Sequence, residues 1–335
     1  MTVAPDLAVA EKLLGPLAQS AVSLAPYCTY RVGGEAALLV EARSVDDLER
    51  VRQAATAAAS PVLVVGKGSN LLVSDRGFPG IVVHLGDAFA DVTIDTDNAT
   101  VIAGGSAFLP VVARQTAAAA LTGFEWAVGV PGSVGGAVRM NAGGHGSDMA
   151  SSLSRVSIFD MGEGGPDEWS VSDLQLGYRT SALQPSHVVL FAELQLSPGQ
   201  RENSERLISE IVRWRRANQP GGQNAGSVFA NPPDDSAGRL IDSLGLKGLR
   251  IGSAEVSPKH ANFIQADPNG SADDVYRLMA EVQRRVEKAT GIVLRPENKF
   301  VGFDGSADLI DVGNGESEAG GPQRRVVEPT AEGRA

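Results

Sequence analysis

The sequence predicts an α+β fold divided into more than one domain, and three observations lead to this prediction. Short β-rich segments recur on both sides of two glycine-rich stretches, residues 62–73 and 129–143. Amphipathic helical patterns lie between these segments without the regular alternation of a nucleotide-binding βαβ unit. The chain has 335 residues, which leaves room for two or three domains with sizeable cores.

Composition narrows the class of protein. Hydrophobic residues make up 43% of the chain, and no apolar run approaches the roughly 18 residues that a membrane span needs. A net charge of −11 and an aromatic content of 5% argue against a nucleic-acid partner. The single cysteine, Cys28, excludes an internal disulfide and a cysteine-based metal site. The N-terminus lacks a basic secretory segment, so we expect a cytoplasmic protein with no membrane insertion and no bound metal.

Residues that start and stop helices predict the first elements. Residues 1–25 are predicted to form one short amphipathic helix, broken at Gly15–Pro16. An extended segment at 29–40 comes next, and Ser44 then caps a second helix that ends before Pro61. The apolar face of this helix comprises Leu48, Val51, Ala54, Ala55 and Ala58.

The middle of the chain is rich in predicted strands. They are residues 62–65, 81–85, 92–94 and 100–103 and the segments RVSIFD and HVVLFAELQL. One helix is predicted within residues 104–123, with Val111, Val112 and Ala118 among its apolar residues and Gly123 after its end. Residues 26–197 therefore form one α+β unit in which the glycine loops face a common ligand.

A further domain is predicted from residue 204. A helix begins at Ser204 with Leu207, Ile208, Ile211 and Val212 inward, and ends in the cluster Arg213, Arg215 and Arg216. A helix that closes at Gly245, a strand in SPKHANFIQ, a helix capped by Ser271 and a last strand in IVLRPENKFVGF follow. From residue 304 the chain is glycine-rich and acidic with little apolar periodicity, which predicts a disordered tail.

The two glycine-rich stretches are candidate ligand loops. Glycine lacks a Cβ and tolerates positive φ, so backbone N–H groups can approach an anion closely. In residues 129–143, interleaved valines disfavour a flexible linker, and a structural tight turn stays open. The turn GKGSN at 66–70 matches neither the Walker sequence nor the dinucleotide fingerprint, and it fits a hairpin turn as well as a phosphate cradle. Together the loops indicate one extended ligand with a phosphate-bearing middle.

Seven motifs occur in a fixed order along the chain: GKGSNLLV, GFEWAVGVPGSVGGAVRMNAG, GYRTS, AGSVFANP, AGRLID, GLRIGSAEVSPKHANFI and LRPENKFVGF. In this combination they resemble the family of UDP-N-acetylenolpyruvoylglucosamine reductases, over residues 24–303. The combination is specific to that family, although no single motif is. The resemblance implies an FAD-binding unit of the vanillyl-alcohol-oxidase type at 26–197, with subdomains at 26–85 and 86–197. An N-terminal helix at 1–25, a substrate domain at 204–303 and a disordered tail at 304–335 complete the predicted chain.

The resemblance also implies a reaction and its ligands. NADPH reduces non-covalently bound FAD, which then reduces the enolpyruvyl group of a UDP-sugar to give UDP-N-acetylmuramate for peptidoglycan. The implied FAD-binding residues lie in the two loops: Gly66, Lys67, Gly68, Ser69, Asn70, Leu71, Gly129, Pro131, Gly132, Ser133, Gly135, Gly136, Ala137, Asn141 and Gly143.

Three residues match catalytic positions of the family. Ser227 in AGSVF matches the proton donor, Arg179 in GYRTS the arginine that holds a carboxylate, and Glu297 in LRPEN the glutamate that polarises or orients the reacting group. By residue type alone they are a turn residue, a surface ion pair and an exposed charge. Asn231 and Asn262 are candidates for substrate contacts.

The chain departs from the family pattern in two ways. Asn218 and Ala230 occupy positions where many relatives carry lysine, so those phosphate or carboxylate contacts must be relocated or weaker. The long loop that bears a substrate-closing tyrosine in one branch has no counterpart between Pro198 and Asn218, which indicates the shorter-loop branch.

Two other functions stay open at this stage. A flavin oxidase of the same fold would often tether FAD through His84, His145 or Cys28, but none lies in a recognisable attachment motif. A non-catalytic nucleotide-sugar binder would have no need for the three catalytic matches together.

Overall fold

The computed structural model describes residues 5–303, which form three units around one central cleft. The helices are α1 (Leu7–Leu14), α2 (Val45–Ala57), α3 (Leu109–Ala118), α4 (Val134–Arg139), α5 (Val171–Leu174), α6 (Arg201–Asn218), α7 (Ala237–Ser243) and α8 (Ala272–Thr290). The strands are β1 (Ala18–Ser23), β2 (Glu35–Ala42), β3 (Val62–Val65), β4 (Leu71–Val73), β5 (Phe78–Leu85), β6 (Val92–Asp95), β7 (Thr100–Gly104), β8 (Leu121–Thr122), β9 (Gly143–Gly144), β10 (Ser147–Asp148), β11 (Leu153–Asp160), β12 (Pro166–Ser170), β13 (His187–Gln195), β14 (Ser197–Pro198), β15 (Arg250–Ile251), β16 (Ala254–Val256), β17 (Ile264–Ala266) and β18 (Lys299–Val301).

The first unit is a four-stranded mixed sheet in the order β1-β2-β5-β3, in which only the β1–β2 pair is antiparallel. Because side chains alternate along a strand, Leu38 and Ile81 face the helices α1 and α2, whereas Leu39 and Val82 face the opposite side. Strand β3 ends at Val65. The GKGSN turn therefore begins at the carboxyl end of strand β3.

The second unit is a five-stranded antiparallel sheet in the order β12-β11-β13-β7-β6. Its core gathers α3, α6 and the 3₁₀ turn Glu125–Gly129, with Phe124 and Trp126 buried among them. Helix α4 lies directly against β13. A Cβ atom added to Gly135 would lie only 3.3 Å from the Val189 side chain and 3.1 Å from the Gly105 carbonyl. This close packing fixes the second glycine loop on the sheet.

The third unit packs α7 and α8 on the small antiparallel sheet β15-β16-β17. Ser271 caps α8 by accepting a hydrogen bond from Asp274 N, and Gly291 ends the helix in the left-handed conformation. Strand β18 leaves this unit and pairs in parallel with β4 of the first unit. That crossing places Glu297, just before β18, beside the GKGSN turn.

Several sequence predictions need correction. Residues 18–23 form strand β1 rather than the end of a helix, because Gly15 at φ 55° and Pro16 stop α1 and the chain then pairs with β2. Helix α3 ends at Ala118, and strand β8 separates it from Gly123, which does not cap it. Its Val111 is 46% exposed.

Helix α6 also differs from the prediction. It begins at Arg201 rather than Ser204, and Leu207 is 42% exposed. Its buried Ile208 and Ile211 join the core of the second unit, not that of the third. The helix predicted to open the substrate domain therefore packs with the second unit.

Two further observations concern the described residues. No helix between residues 5 and 303 is long and apolar enough to cross a membrane. In the same range no cluster of three or more histidine, cysteine, aspartate or glutamate side chains could hold a metal ion. The predicted disordered tail at 304–335 lies outside the described residues.

Candidate active site

The cleft between the three units contains a cavity of about 610 Å³. Both glycine loops line it, and so do all the predicted FAD-binding residues except Asn141. Arg179, Ser227 and Glu297 lie in its wall as well. The structure therefore gathers residues that are far apart in the sequence around one space.

Close packing explains the glycines of this cavity. A Cβ at Gly66 would overlap the Ser133 hydroxyl of the opposite loop, so the two loops approach each other there. Gly68 adopts φ 56°, and a Cβ on it would overlap the Tyr27 carbonyl. Only glycine meets both demands at position 68 without strain.

The loops also present free backbone donors. Six backbone N–H groups of the loops donate no hydrogen bond to any atom of residues 5–303: those of Lys67, Gly68, Ser69, Asn70, Gly132 and Ser133. Unpaired N–H groups are rare in folded proteins unless a ligand or water accepts from them. Clustered N–H groups of this kind bind phosphate oxygens. The donor set and the partly apolar lining of the cavity fit FAD, whose diphosphate would lie between the loops.

Arg179 is held at the cavity wall by its neighbours. It adopts φ 56°, and its Nη2 donates to the Gly143 carbonyl at 2.9 Å. Its Nε lies 3.8 Å from Glu297 Oε1, and the guanidinium stacks 5.2 Å from the centre of the Tyr178 ring. The side chain therefore bridges the second glycine loop and Glu297.

Glu297 is a partly desolvated carboxylate. Its side chain is 17% exposed, and the Tyr178 hydroxyl donates to it at 3.4 Å. Burial raises the pKa of Glu297, and the nearby Arg179 and the Tyr178 hydrogen bond only partly oppose that shift. Such a carboxyl group in a cleft is typical of a functional site.

Ser227 lies on a loop that is held by the Asn224 side chain on one side and by the Asn262 backbone carbonyl on the other. Gly226 adopts φ 78°, and its N–H donates to Asn224 Oδ1 at 3.1 Å. On the other side, Val228 N donates to the Asn262 carbonyl at 2.9 Å. Within the described chain the Ser227 hydroxyl makes no hydrogen bond, so it is available to a ligand.

Two family models and several known proteins match this chain. A family model described as "UDP-N-acetylenolpyruvoylglucosamine reductase, C-terminal domain" matches residues 218–301, and one described as "FAD binding domain" matches residues 36–164. The UDP-N-acetylenolpyruvoylglucosamine reductase of Synechococcus sp. (strain WH7803) is 43% identical over 291 residues, 85% of this chain and 94% of the relative. The chain belongs to the UDP-N-acetylenolpyruvoylglucosamine reductase family.

Two other members agree with this assignment. The reductase of Syntrophotalea carbinolica is 40% identical over 294 residues, which cover 86% of this chain and 97% of the relative. The crystal structure of the reductase from Thermus caldophilus matches with a TM-score of 0.72 at 38% identity, over 84% of this chain and 97% of that one. The recognised family and the α+β fold class, with an FAD-binding unit and a C-terminal α+β domain, are confirmed. As a member of this reductase family, the protein is an FAD-dependent oxidoreductase.

Three asparagines predicted to contact ligands have local partners. Asn262 is 4% exposed, and its amide both accepts from Phe229 N at 3.0 Å and donates to Phe229 O at 2.8 Å. Asn231 Oδ1 accepts from Ala237 N at the start of α7. Asn141 accepts from Ala150 N and donates to the Gly177 carbonyl. None of the three lines the cavity, and their contacts with substrate or FAD stay predictions.

Sequence reasoning missed other residues of the site. Trp214 is 50% exposed at the cavity wall and packs edge-on against His145, with ring centres 5.2 Å apart. Arg215, from the arginine cluster predicted at the end of α6, and Lys299 add cationic side chains to the lining. Trp214 lies in none of the seven motifs, and α6 brings it to the cavity through tertiary packing; Lys299 lies in LRPENKFVGF, where no role was predicted for it.

The residues considered for covalent FAD attachment do not share one site. Cys28 is buried outside the cavity lining, and burial raises the pKa of its thiol to about 12. His84 lies in an adjoining pocket, with Nδ1 3.2 Å from the Val65 carbonyl. His145 lines the main cavity, and burial together with Arg215 lowers its pKa. The thiol in particular is poorly suited to attack a flavin, because the thiolate is the nucleophile.

Proposed function

We propose that this protein uses NADPH to reduce the enolpyruvyl group of UDP-N-acetylglucosamine-enolpyruvate, giving UDP-N-acetylmuramate for peptidoglycan synthesis. The observation that carries the proposal is the convergence of Arg179, Ser227 and Glu297 with both glycine loops on one cavity. FAD held non-covalently by these loops would supply the two-electron chemistry, taking a hydride from NADPH and passing it to the substrate. A location in the cytoplasm stays a prediction from the sequence.

Arg179 is suited to hold the carboxylate of the enolpyruvyl group. A guanidinium is permanently charged and offers a planar fork that matches a carboxylate. Its Nη2 is already fixed by the Gly143 carbonyl and its Nε faces Glu297, so its direction is set before substrate binds. Such preorganisation stabilises charge that develops on the carboxylate during hydride transfer.

Ser227 is assigned the final proton. After hydride addition, the carbon next to the carboxylate carries enolate character and must gain a proton. A serine hydroxyl is a weak acid, so it serves only where the acceptor is strongly basic and water is largely excluded. Its position in the cavity wall and its lack of an internal partner within residues 5–303 support this role.

We assign to Glu297 the role of orienting the reacting group and Arg179. Its carboxylate accepts from Tyr178 and lies within ion-pair distance of Arg179. Because burial raises its pKa, the group can also exchange a proton nearer to neutral pH than an exposed glutamate. We assign Asn231 and Asn262 to substrate binding only as secondary candidates.

Anaerobic absorbance measurements test the proposal. Purified protein should carry a flavin spectrum that bleaches on addition of NADPH and returns only when the enolpyruvyl UDP-sugar is added. Acid precipitation should release the flavin into the supernatant. Flavin that stays on the polypeptide would indicate covalent attachment, and bleaching that only oxygen reverses would contradict the proposed reductase activity.

A further inference from the structure

Asn298 is a buried amide directly behind the active site. It follows Glu297 in the sequence and is 4% exposed. Its Nδ2 donates to Asn70 Oδ1 at 3.1 Å and to the Ala225 carbonyl at 3.5 Å. One side chain therefore connects the first glycine loop with the loop that carries Ser227.

Asn70 completes the connection with Glu297. Its Nδ2 donates to the Glu297 carbonyl at 3.0 Å, and its own carbonyl accepts from Lys299 N at 2.8 Å. Glu297 N donates in turn to the Val228 carbonyl at 2.8 Å. The backbone of Glu297 is thus fixed between the glycine loop and the Ser227 loop, and Asn298 bonds to both loops.

The bonding of Asn298 is one-sided. Its Nδ2 is engaged, whereas its Oδ1 is buried and accepts no hydrogen bond from the part of the chain that the structure describes. A buried acceptor without a partner destabilises the folded state. Stability therefore does not explain why position 298 is an asparagine. What the side chain provides is an N–H donor that joins two loops.

We propose that Asn298 is a positioning residue for the reduction of the substrate. It would hold Glu297 and Ser227 in register with the glycine loop that binds the cofactor. This inference rests on the proposed function. Displacing a catalytic group by about 1 Å can slow a reaction by roughly 10²-fold, and loss of the Nδ2 donor would remove the link that holds the Ser227 loop against the glycine loop.

The test compares two variants in separate half-reactions. Asn298→Leu is close in size but lacks the donor. We expect the reoxidation of reduced flavin by the enolpyruvyl substrate to slow about 10- to 100-fold. Flavin reduction by NADPH, the visible flavin spectrum and FAD retention should stay close to those of the parent. Asn203→Leu, at an exposed amide on α6 that bonds only to Gln200 and Arg206, serves as the matched control and should leave both half-reactions unchanged.

Asn298→Asp keeps the side-chain shape and decides the matter if the leucine variant does not fold. Its ionised carboxylate cannot donate, but its protonated form can. The ratio of the variant rate to the parent rate in the substrate half-reaction should therefore rise as the pH falls. Equal slowing of both half-reactions, or a constant ratio across pH, would overturn the positioning role.

The parent enzyme separates this inference from the proposed function. If the parent fails to reoxidise its flavin with the enolpyruvyl substrate, the proposed function itself is wrong. If the parent reacts and Asn298→Leu matches it in both half-reactions, only the role of Asn298 is refuted.

Discussion

Ser227 has the chemistry of a weak acid, and its surroundings determine whether it can donate a proton. Gly226 adopts φ 78°, and Gly226 N and Val228 N donate to Asn224 Oδ1 and to the Asn262 carbonyl, which orients the loop. Its hydroxyl remains free of partners within residues 5–303. The side chain is thus placed by backbone contacts on both sides, while its functional group is left for the ligand.

Ser227→Ala should therefore separate the two half-reactions. Transfer of hydride from NADPH to the flavin needs no proton from Ser227 and should be almost unchanged. Reoxidation by substrate should slow by about 10²- to 10⁴-fold, equivalent to roughly 3–5.5 kcal/mol of barrier. Stopped-flow absorbance measures each step, and equal slowing of both would reduce Ser227 to a structural residue of its loop.

The raised pKa of Glu297 predicts that removal of its charge has opposite effects on stability and on activity. Its folded-state pKa is raised by burial, so the folded protein binds more protons than the unfolded chain between the two pKa values. Stability therefore falls as pH rises through this window, and ionised Glu297 is unfavourable at neutral pH. Glu297→Gln should raise the melting temperature at pH 7, and the gain should shrink as the pH falls and Glu297 of the parent becomes protonated.

Thermal unfolding at several pH values checks this expectation, alongside the rate of the substrate half-reaction. We expect Glu297→Gln to be more stable yet slower with substrate, because the charge that orients Arg179 is gone. A lower melting temperature at pH 7 would mean that the ion pair with Arg179 outweighs burial.

Among the elements, the first glycine loop depends most on backbone geometry. Gly68→Ala would force an alanine into φ 56° and its Cβ against the Tyr27 carbonyl. The left-handed conformation alone costs about 1–2 kcal/mol, and relief of the overlap must move N–H donors that face the cavity. We expect a lower melting temperature and weaker retention of FAD. Flavin fluorescence after gel filtration measures the loss.

Gly221→Ala is the control for this loop. A Cβ there meets no atom within 4 Å, and Gly221 lies outside the cavity lining. Its melting temperature and flavin content should match those of the parent. If both variants lose flavin equally, the close approach at Gly68 is not what shapes the cofactor loop.

Elements with local signals could be predicted from sequence, whereas those fixed by distant contacts could not. Ser44 and Ser271 mark α2 and α8, since caps and apolar periodicity are local. Strand β1 escaped prediction because it is a largely exposed edge strand defined by its pairing with β2. The motifs identified Arg179, Ser227 and Glu297 as candidates. By contrast, the bonds of Asn298 to two distant loops and the place of Trp214 in the cavity wall depend on tertiary packing, although Asn298 itself lies in the LRPENKFVGF motif.

At the scale of the whole molecule, residues of all three units line the cavity. Strand β18 carries residues of the third unit onto β4 of the first, and α6 carries Trp214 and Arg215 from the core of the second. A ligand in this cavity contacts all three units and stabilises their arrangement together.

FAD should therefore make unfolding more cooperative as well as raise the melting temperature. Free FAD at 100 times its dissociation constant stabilises the folded state by about 2.7 kcal/mol.

The three tryptophans, Trp126, Trp169 and Trp214, lie outside the third unit, whereas Tyr276 lies on α8 within it. Release of flavin, tryptophan fluorescence and far-ultraviolet circular dichroism should follow one transition in saturating FAD. Riboflavin, which lacks the diphosphate, should stabilise much less at the same concentration. A circular-dichroism transition that precedes flavin release would show that the third unit unfolds without disturbing the cofactor, contrary to the role of β18 in this cavity.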